Sequence, residues 1–176
     1  DISPGAIERA QKKAEFCSVH KLTSFDVGNC ESLNFGDSSF DYIFSAGTLS
    51  CVDRDRAVRE MARVVKNDGA VVIVDTLGHN PILNINRWLK VKRGKKLEST
   101  AKNTLREKDY HQAQKYFGEI EMHYFGLMSL MCVPLSFLFK KRLEFLVRII
   151  QRLDRFLLSI PFLRKGAFKV VCILSK

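Results

Sequence analysis

Two apolar runs joined by one amphipathic stretch constrain this chain more than any other feature. Phe40–Ala46 (FDYIFSA) and residues 70–75 (AVVIVD) are almost uninterrupted by polar residues, the pattern of strands covered on both faces, as in a parallel sheet. Between them, Asp53 can cap a helix whose apolar positions Ala57, Val58, Met61, Val64 and Val65 recur at helical spacing. Asn67-Asp68-Gly69 predicts its stop. Strand, helix and strand with short loops make a βαβ unit, whose crossover is right-handed, and the first half of the chain is therefore read as α/β.

The flanking segments add elements of the same kind. Ser3-Pro4 places a cap and a first-turn proline ahead of AIERAQKKAE, a helix with Ile7, Ala10 and Ala14 on one face. LTSFDV reads as a short strand ending at Gly28-Asn29, and LGHNP as a loop, because Asn80-Pro81 is a turn signal. The basic stretch RWLKVKRGKK comes next. REKDYHQAQKYF reads as a helix ended by Gly118, EIEMHYF alternates like a strand with one wet face, and AFKVVCILSK reads as a terminal strand. These last strands predict an antiparallel, hairpin-like edge on the parallel sheet. GLMSLMCVPLSFLF is apolar but interrupted by Pro134 and too short for a transmembrane helix. In the helix predicted from about Lys140, Arg148, Arg152 and Arg155 lie on one face; Leu143, Leu146, Val147, Ile150, Leu153 and Leu157 lie on the other.

Length argues for a single domain, residues 1–176, but charge divides it. Residues 1–80 hold 9 basic and 12 acidic side chains, a net of −3; residues 81–176 hold 20 and 7, a net of +13. The basic half suits either an anionic partner, such as a membrane surface, or a solvated face. Nucleic acid is not expected, since no reading module accompanies the charge. Five cysteines with no CxxC pair and no signal peptide suggest reduced, small buried thiols in a cytoplasmic protein, with no metal site.

An acidic residue opening DISPGAIERA, then GNCESLNF, FDYIFSAGTL and AVREMARVVKNDGAVVIVD, resemble in order and spacing the class I S-adenosylmethionine-dependent methyltransferase family. The likeness is to the branch acting on small molecules and glycans; it covers residues 1–80 in detail and the rest in outline. It implies a Rossmann-like, mostly parallel sheet flanked by helices with an antiparallel C-terminal edge strand. Residues 1–80 would then be the cofactor-binding half and 81–176 a basic substrate or lid half.

The resemblance implies roles at four strand ends. Asp1 matches the acidic residue that accepts hydrogen bonds from both ribose hydroxyls; an acidic residue at a helix start fits as well. Gly28-Asn29-Cys30 stand where the family usually has Gly-Asp and a small residue. Asn29 keeps an acceptor for the adenine amino group without the charge, Cys30 offers its backbone N–H, and Gly28-Asn29 is equally an ordinary turn dipeptide. Leu33 and Phe35 suit either the adenine ring or the core. Ser45, Ala46 and Gly47 match the small residues beneath the methionine part of the cofactor. Ser50-Cys51 replace a His pair common among relatives. In 75–81, His79 suits a base that takes a proton from an acceptor hydroxyl, or a histidine held in a surface turn. Asp75 shares the strand-end position.

The family's first strand and Gly-rich turn precede the acidic residue, and neither occurs here. The chain is therefore expected to be an N-terminally truncated fragment that binds S-adenosylmethionine weakly or not at all, with activity belonging to the parent protein. The expected activity is methyl transfer to a small-molecule or glycan acceptor, mainly at oxygen, with a quinone or lipid ring as the nearest variant. The alternative is a Rossmann-like scaffold that has lost its cofactor site. The second half also suits an interfacial helix near a lipid-linked substrate, or a lid over the sheet.

Overall fold

The computed structural model describes residues 1–78, 80–94, 105–128 and 144–176. Helix α1 (Pro4–Phe16) starts as predicted, with the Ser3 hydroxyl accepting from Ala6 N–H and proline in the first turn. Strand β1 (Phe40–Ala46) leads to helix α2 (Arg54–Val64), where Asp53 accepts from Arg56 N–H and Ala57, Val58, Met61, Ala62 and Val64 face the core. Strand β2 (Val65–Thr76) follows without a break. Helix α3 (Pro81–Lys92), the short α4 (Glu107–His111) with a 3-10 turn over Gln112–Lys115, and strand β3 (Glu119–Phe125) come next. Helix α5 (Glu144–Leu158), the one-turn α6 (Pro161–Arg164) and strand β4 (Lys169–Ser175) complete the described chain.

The sheet order is β1-β2-β4-β3. β1 and β2 run parallel, whereas β4 is antiparallel to both β2 and β3. The antiparallel edge is present as expected, but the terminal strand lies inside it and β3 is outermost. The described sheet thus has one parallel and two antiparallel pairings, fewer parallel ones than expected. Burial explains the order. Val170, Cys172 and Leu174 of β4 are fully buried and need neighbours on both sides, whereas β3 alternates exposed and half-buried residues, as an edge strand can. Val71 and Ile73 of β2 pack with them, and α2 and the α4 region cover that face.

Several expectations change. LTSFDV forms no strand: Leu22 N–H donates to Val19 O (3.0 Å) in a 3-10 turn, and Asp26 O accepts from Asp1 N (3.3 Å), next to the Gly28 N–H to Asp1 O bond (3.1 Å). β2 begins at Val65, not after Gly69, because Val65 already pairs with Phe40. Tyr42 and Phe44 of β1 are 75% and 70% exposed, so this strand is not covered on both faces, and among the described residues no strand pairs with its other edge. Asn80-Pro81 is a helix start, not a turn: Asn80 is buried, its amide donates to Gly166 O (2.7 Å), and Pro81 opens α3. Cys172 is the fully buried thiol, while Cys17 and Cys51 are exposed; Cys132, Leu143 and most of the apolar run after Met128 lie outside the described residues.

Candidate functional site

Hydrogen bonding joins two of the predicted positions, Asp1 and Gly28-Asn29, while Ser45 and Ala46 stand at the carboxyl end of β1. The Gly28 N–H to Asp1 O bond sets Asp1 beside Gly28-Asn29. The Asp1 carboxylate accepts from Ser3 N–H (2.9 Å), so it stands at the entry to α1 on an exposed rim. Asn29 Oδ1 accepts from Glu31 N–H (3.0 Å), and Asn29 O accepts from Ser32 N–H (3.1 Å). This Asx turn uses one lone pair of the amide oxygen, which carries two. Cys30 is half-buried against the core, and burial, then the Glu31 charge, pushes its thiol up.

The segment after Asn29 is fastened to α2. Glu31 Oε1 accepts from Asp53 N–H (2.9 Å), and Glu60 accepts from Leu33 N–H (2.9 Å). Arg63 donates to Leu33 O, Phe35 O, Asp37 and Glu60 at 2.7 to 3.0 Å. The Arg63 guanidinium, with the Leu33 N–H, holds the Glu60 carboxyl down at about 2. Leu33 is half-buried, and Phe35 is partly exposed with its ring edge-on to Phe40 at 4.9 Å.

At the carboxyl end of β1, Ser45 is buried and pairs with Ile73, Ala46 is exposed, and Gly47 turns the chain with φ +71°. Gly47 N–H donates to Val74 O (3.0 Å), which sets the turn against the end of β2. A Cβ placed on Gly47 or on Gly28 would meet no atom within 4 Å. Both positions therefore leave open space in which a ligand can approach backbone closely. His79 lies outside the described residues. Its neighbours are fixed: Gly78 N–H donates to Leu105 O (2.8 Å), and Asn80 is anchored at Gly166.

A polar cluster that the sequence did not reveal lies on the α2 side of β2. Asp75 is 4% exposed and Tyr110 2%, and both Asp75 Oδ2 and the Tyr110 hydroxyl lack a hydrogen-bond partner. Burial raises the Asp75 carboxyl to about 6, against the pull of Arg54, and burial with the nearby Asp75 drives the Tyr110 hydroxyl far above its usual range. Arg54 pairs with Asp109 (3.0 Å). Leu49, Arg54, Val58, Ile73, Leu105 and Tyr110 help to line a small open cleft here. Orphaned buried polar atoms are rare and concentrate where a ligand or water completes them. Asp75 was legible as a strand-end residue, but its partners come from elements some 20 to 35 positions away in the sequence. Among the described residues, no group of His, Cys, Asp and Glu is placed to hold a metal ion.

Comparison with known proteins bears on the same residues. Residues 1–73 match the methyltransferase domain family. The ubiquinone/menaquinone biosynthesis C-methyltransferase of Citrifermentans bemidjiense is 37% identical over 76 residues, which is 43% of this chain and 32% of that protein. The demethylmenaquinone methyltransferase of Bacteroides fragilis is 36% identical over 76 residues, 43% of this chain and 31% of that protein. The chain thus spans about a third of the length of these curated relatives. Among solved structures, a putative sarcosine dimethylglycine methyltransferase from Galdieria sulphuraria matches 99% of this chain and 67% of its own, with TM-score 0.59 and 15% identity. Geranyl diphosphate C-methyltransferase from Streptomyces coelicolor A3(2) matches 98% and 61%, with TM-score 0.57 and 12% identity. At such identities these two show the fold alone.

Proposed function

We infer that this chain, which carries a methyltransferase domain of the class I S-adenosylmethionine-dependent family, serves methyl transfer from that cofactor to a small-molecule acceptor. One observation supports the reading: within a segment that matches the methyltransferase domain family, Asp1 is bonded beside Gly28-Asn29 and Ser45–Gly47 close β1, with open space over both glycines.

The residues present fit the cofactor. The Asp1 carboxylate, an acceptor-only group on an exposed rim, suits two vicinal ribose hydroxyls. The second lone pair of Asn29 Oδ1 suits the adenine amino group, and the Cys30 backbone a ring nitrogen. The small run Ser45-Ala46-Gly47 gives the methionine part room. The cofactor supplies a methyl group on a sulfonium that is its own leaving group, so the task left to the chain is alignment and proton handling.

The named relatives favour a ring carbon of a quinone-type acceptor over the glycan oxygen expected from sequence, and they do not favour a scaffold without catalysis. A base serves carbon methylation as it serves oxygen methylation: removing a ring hydroxyl proton raises electron density at the attacking atom. His79, between Gly78 and Asn80 in the sequence, is the candidate.

Two substitutions in the full-length protein test this. Asp1→Ala removes charge-assisted hydrogen bonds and should weaken S-adenosylmethionine binding roughly tenfold or more in calorimetry. An unchanged affinity would remove Asp1 from the site. His79→Ala should lower turnover with cofactor affinity kept; an unchanged rate would clear His79 of any role. Labelled methyl should appear on carbon when a demethylated quinone analogue is offered, and a label recovered only on oxygen would move the assignment back to a hydroxyl acceptor.

A further inference from the structure

Helix α5 has two apolar faces, and the fold uses one of them. Asp154 and Leu158 are buried, and the Asp154 carboxylate accepts from Met128 N–H (2.7 Å) and Leu127 N–H (3.2 Å), which fixes the rotation of the helix about its axis. At 3.6 residues per turn, Phe145, Ile149, Leu153 and Phe156 then share an arc of roughly 80° on the side away from Asp154. They are 75%, 39%, 47% and 69% exposed. Arg148, Arg152 and Arg155, all exposed, border this arc on one side. The sole acidic residue of the segment 145–158 is Asp154, and it is turned inward. Of the apolar face predicted from sequence, Leu153 is exposed while Val147, Ile150 and Leu157 are half-buried; the side chain of Leu146 lies outside the described residues.

Helix α3 repeats the arrangement. Ile85, Trp88, Leu89 and Lys92 fall on one face by the same spacing; the first three are 62%, 58% and 36% exposed, and Lys92 Nζ sits 4.8 Å from the Trp88 ring centre. This helix contains no acidic residue. The Asn80 bond to Gly166 ties the start of α3 to the turn just after α6, which itself follows α5. Both helices therefore emerge near one end of the sheet, where β2 ends and β4 begins.

We propose that α3 and α5 form a peripheral docking surface for an anionic lipid bilayer. The surface asks its partner for two things, an apolar phase deep enough for isolated aromatic side chains and negative charge at its border. An anionic membrane interface supplies both: phenylalanines enter the acyl boundary, tryptophan sits at headgroup level, and arginines reach the phosphates. A second copy of the chain would bring the same three arginines against their equals, in a half whose net charge is +13. Among the described residues no helix is long and apolar enough to cross a membrane.

Vesicle flotation tests this without any methyl transfer, so its failure is separate from failure of the proposed activity. The full-length protein should float with phosphatidylcholine vesicles containing phosphatidylglycerol, float poorly with phosphatidylcholine alone, and release as salt is raised. Fluorescence of Trp88, the single tryptophan of the chain, should shift to the blue on binding. Arg148→Gln/Arg152→Gln/Arg155→Gln should lower partitioning roughly 100-fold. Phe145→Ser/Phe156→Ser, at exposed positions that leave the fold intact, should lower it at least roughly tenfold. Absence of binding at low salt would overturn the proposal, as would undiminished binding by both variants. So would self-association of the parent that the phenylalanine variant abolishes, because that would give the face to a second copy.

Discussion

Gly69→Ala is expected to cost about 3 kcal/mol of folding stability, because the added methyl collides with main chain. A Cβ at this position would lie 2.3 Å from the Asp41 carbonyl oxygen, 3.2 Å from its carbon and 2.9 Å from Val65 Cγ2. A flexible side chain could swing aside, but Asp41 is held between Phe40, paired with Val65, and Tyr42, paired with Ala70. Asp41 of β1 thus stands opposite four residues of β2, Lys66 to Gly69, and Gly69 lies where the extra length folds against its neighbour. The Lys66–Asp41 ion pair (2.7 Å) closes the same irregularity from the solvent side. Relief requires β1 to separate from β2 locally, in the parallel pairing that carries Ser45 and Gly47 to the site. Gly118→Ala is the control: its Cβ would make an ordinary contact at 3.7 Å, so it should change stability by about 1 kcal/mol or less. Urea unfolding of both variants checks this, and a Gly69→Ala midpoint no lower than that of Gly118→Ala would refute it.

Gly69 also shows what the sequence could convey. Asn67-Asp68-Gly69 reads as a helix stop, and α2 does end nearby, but the glycine serves a close approach between strands and has no left-handed φ. Local periodicity was a faithful guide where the relevant neighbours are local: β1, α2, β3 and β4 lie where their patterns place them. It misled where a partner decides the outcome. LTSFDV has strand composition, yet it joins no sheet: it begins in a 3-10 turn and meets Asp1 N through Asp26 O. The α5 pattern predicts one apolar face without saying whether it meets the sheet or a surface, and the inward face is set by the Asp154 carboxylate and the N–H groups of Leu127 and Met128, a contact no periodicity encodes. The site divides in the same way. The order of Asp1, Gly28-Asn29 and Ser45–Gly47 along the chain groups them by resemblance; in the fold a backbone bond joins the first two, and Ser45 and Ala46 end β1. The cluster of Asp75, Tyr110 and Arg54 depends on how α2 and α4 pack over β2, and so it emerges only in three dimensions.

Asp75→Asn is the second large effect, and it should raise stability at neutral pH while lowering it little or not at all in acid. The free carboxyl titrates near 3.8, and burial moves the folded one to about 6. Between those values the native chain binds more protons than the unfolded chain, so stability falls as pH rises from about 4 to 6 and the penalty is constant above. A displacement of this size corresponds to about 3 kcal/mol. Asparagine keeps the shape without the charge, so at pH 7 it should recover up to that amount, less whatever its amide N–H groups lose if they find no acceptor. The gain should shrink towards zero at pH 4. A difference that stays the same from pH 4 to pH 7 would show that the buried charge is not the cost. A buried carboxyl held at such expense near a strand end is a candidate for function, since stability is often given up where a proton is held near neutrality. Turnover of the full-length protein should therefore fall in Asp75→Asn as its stability rises. A variant that gains stability and keeps full turnover would assign Asp75 to packing alone.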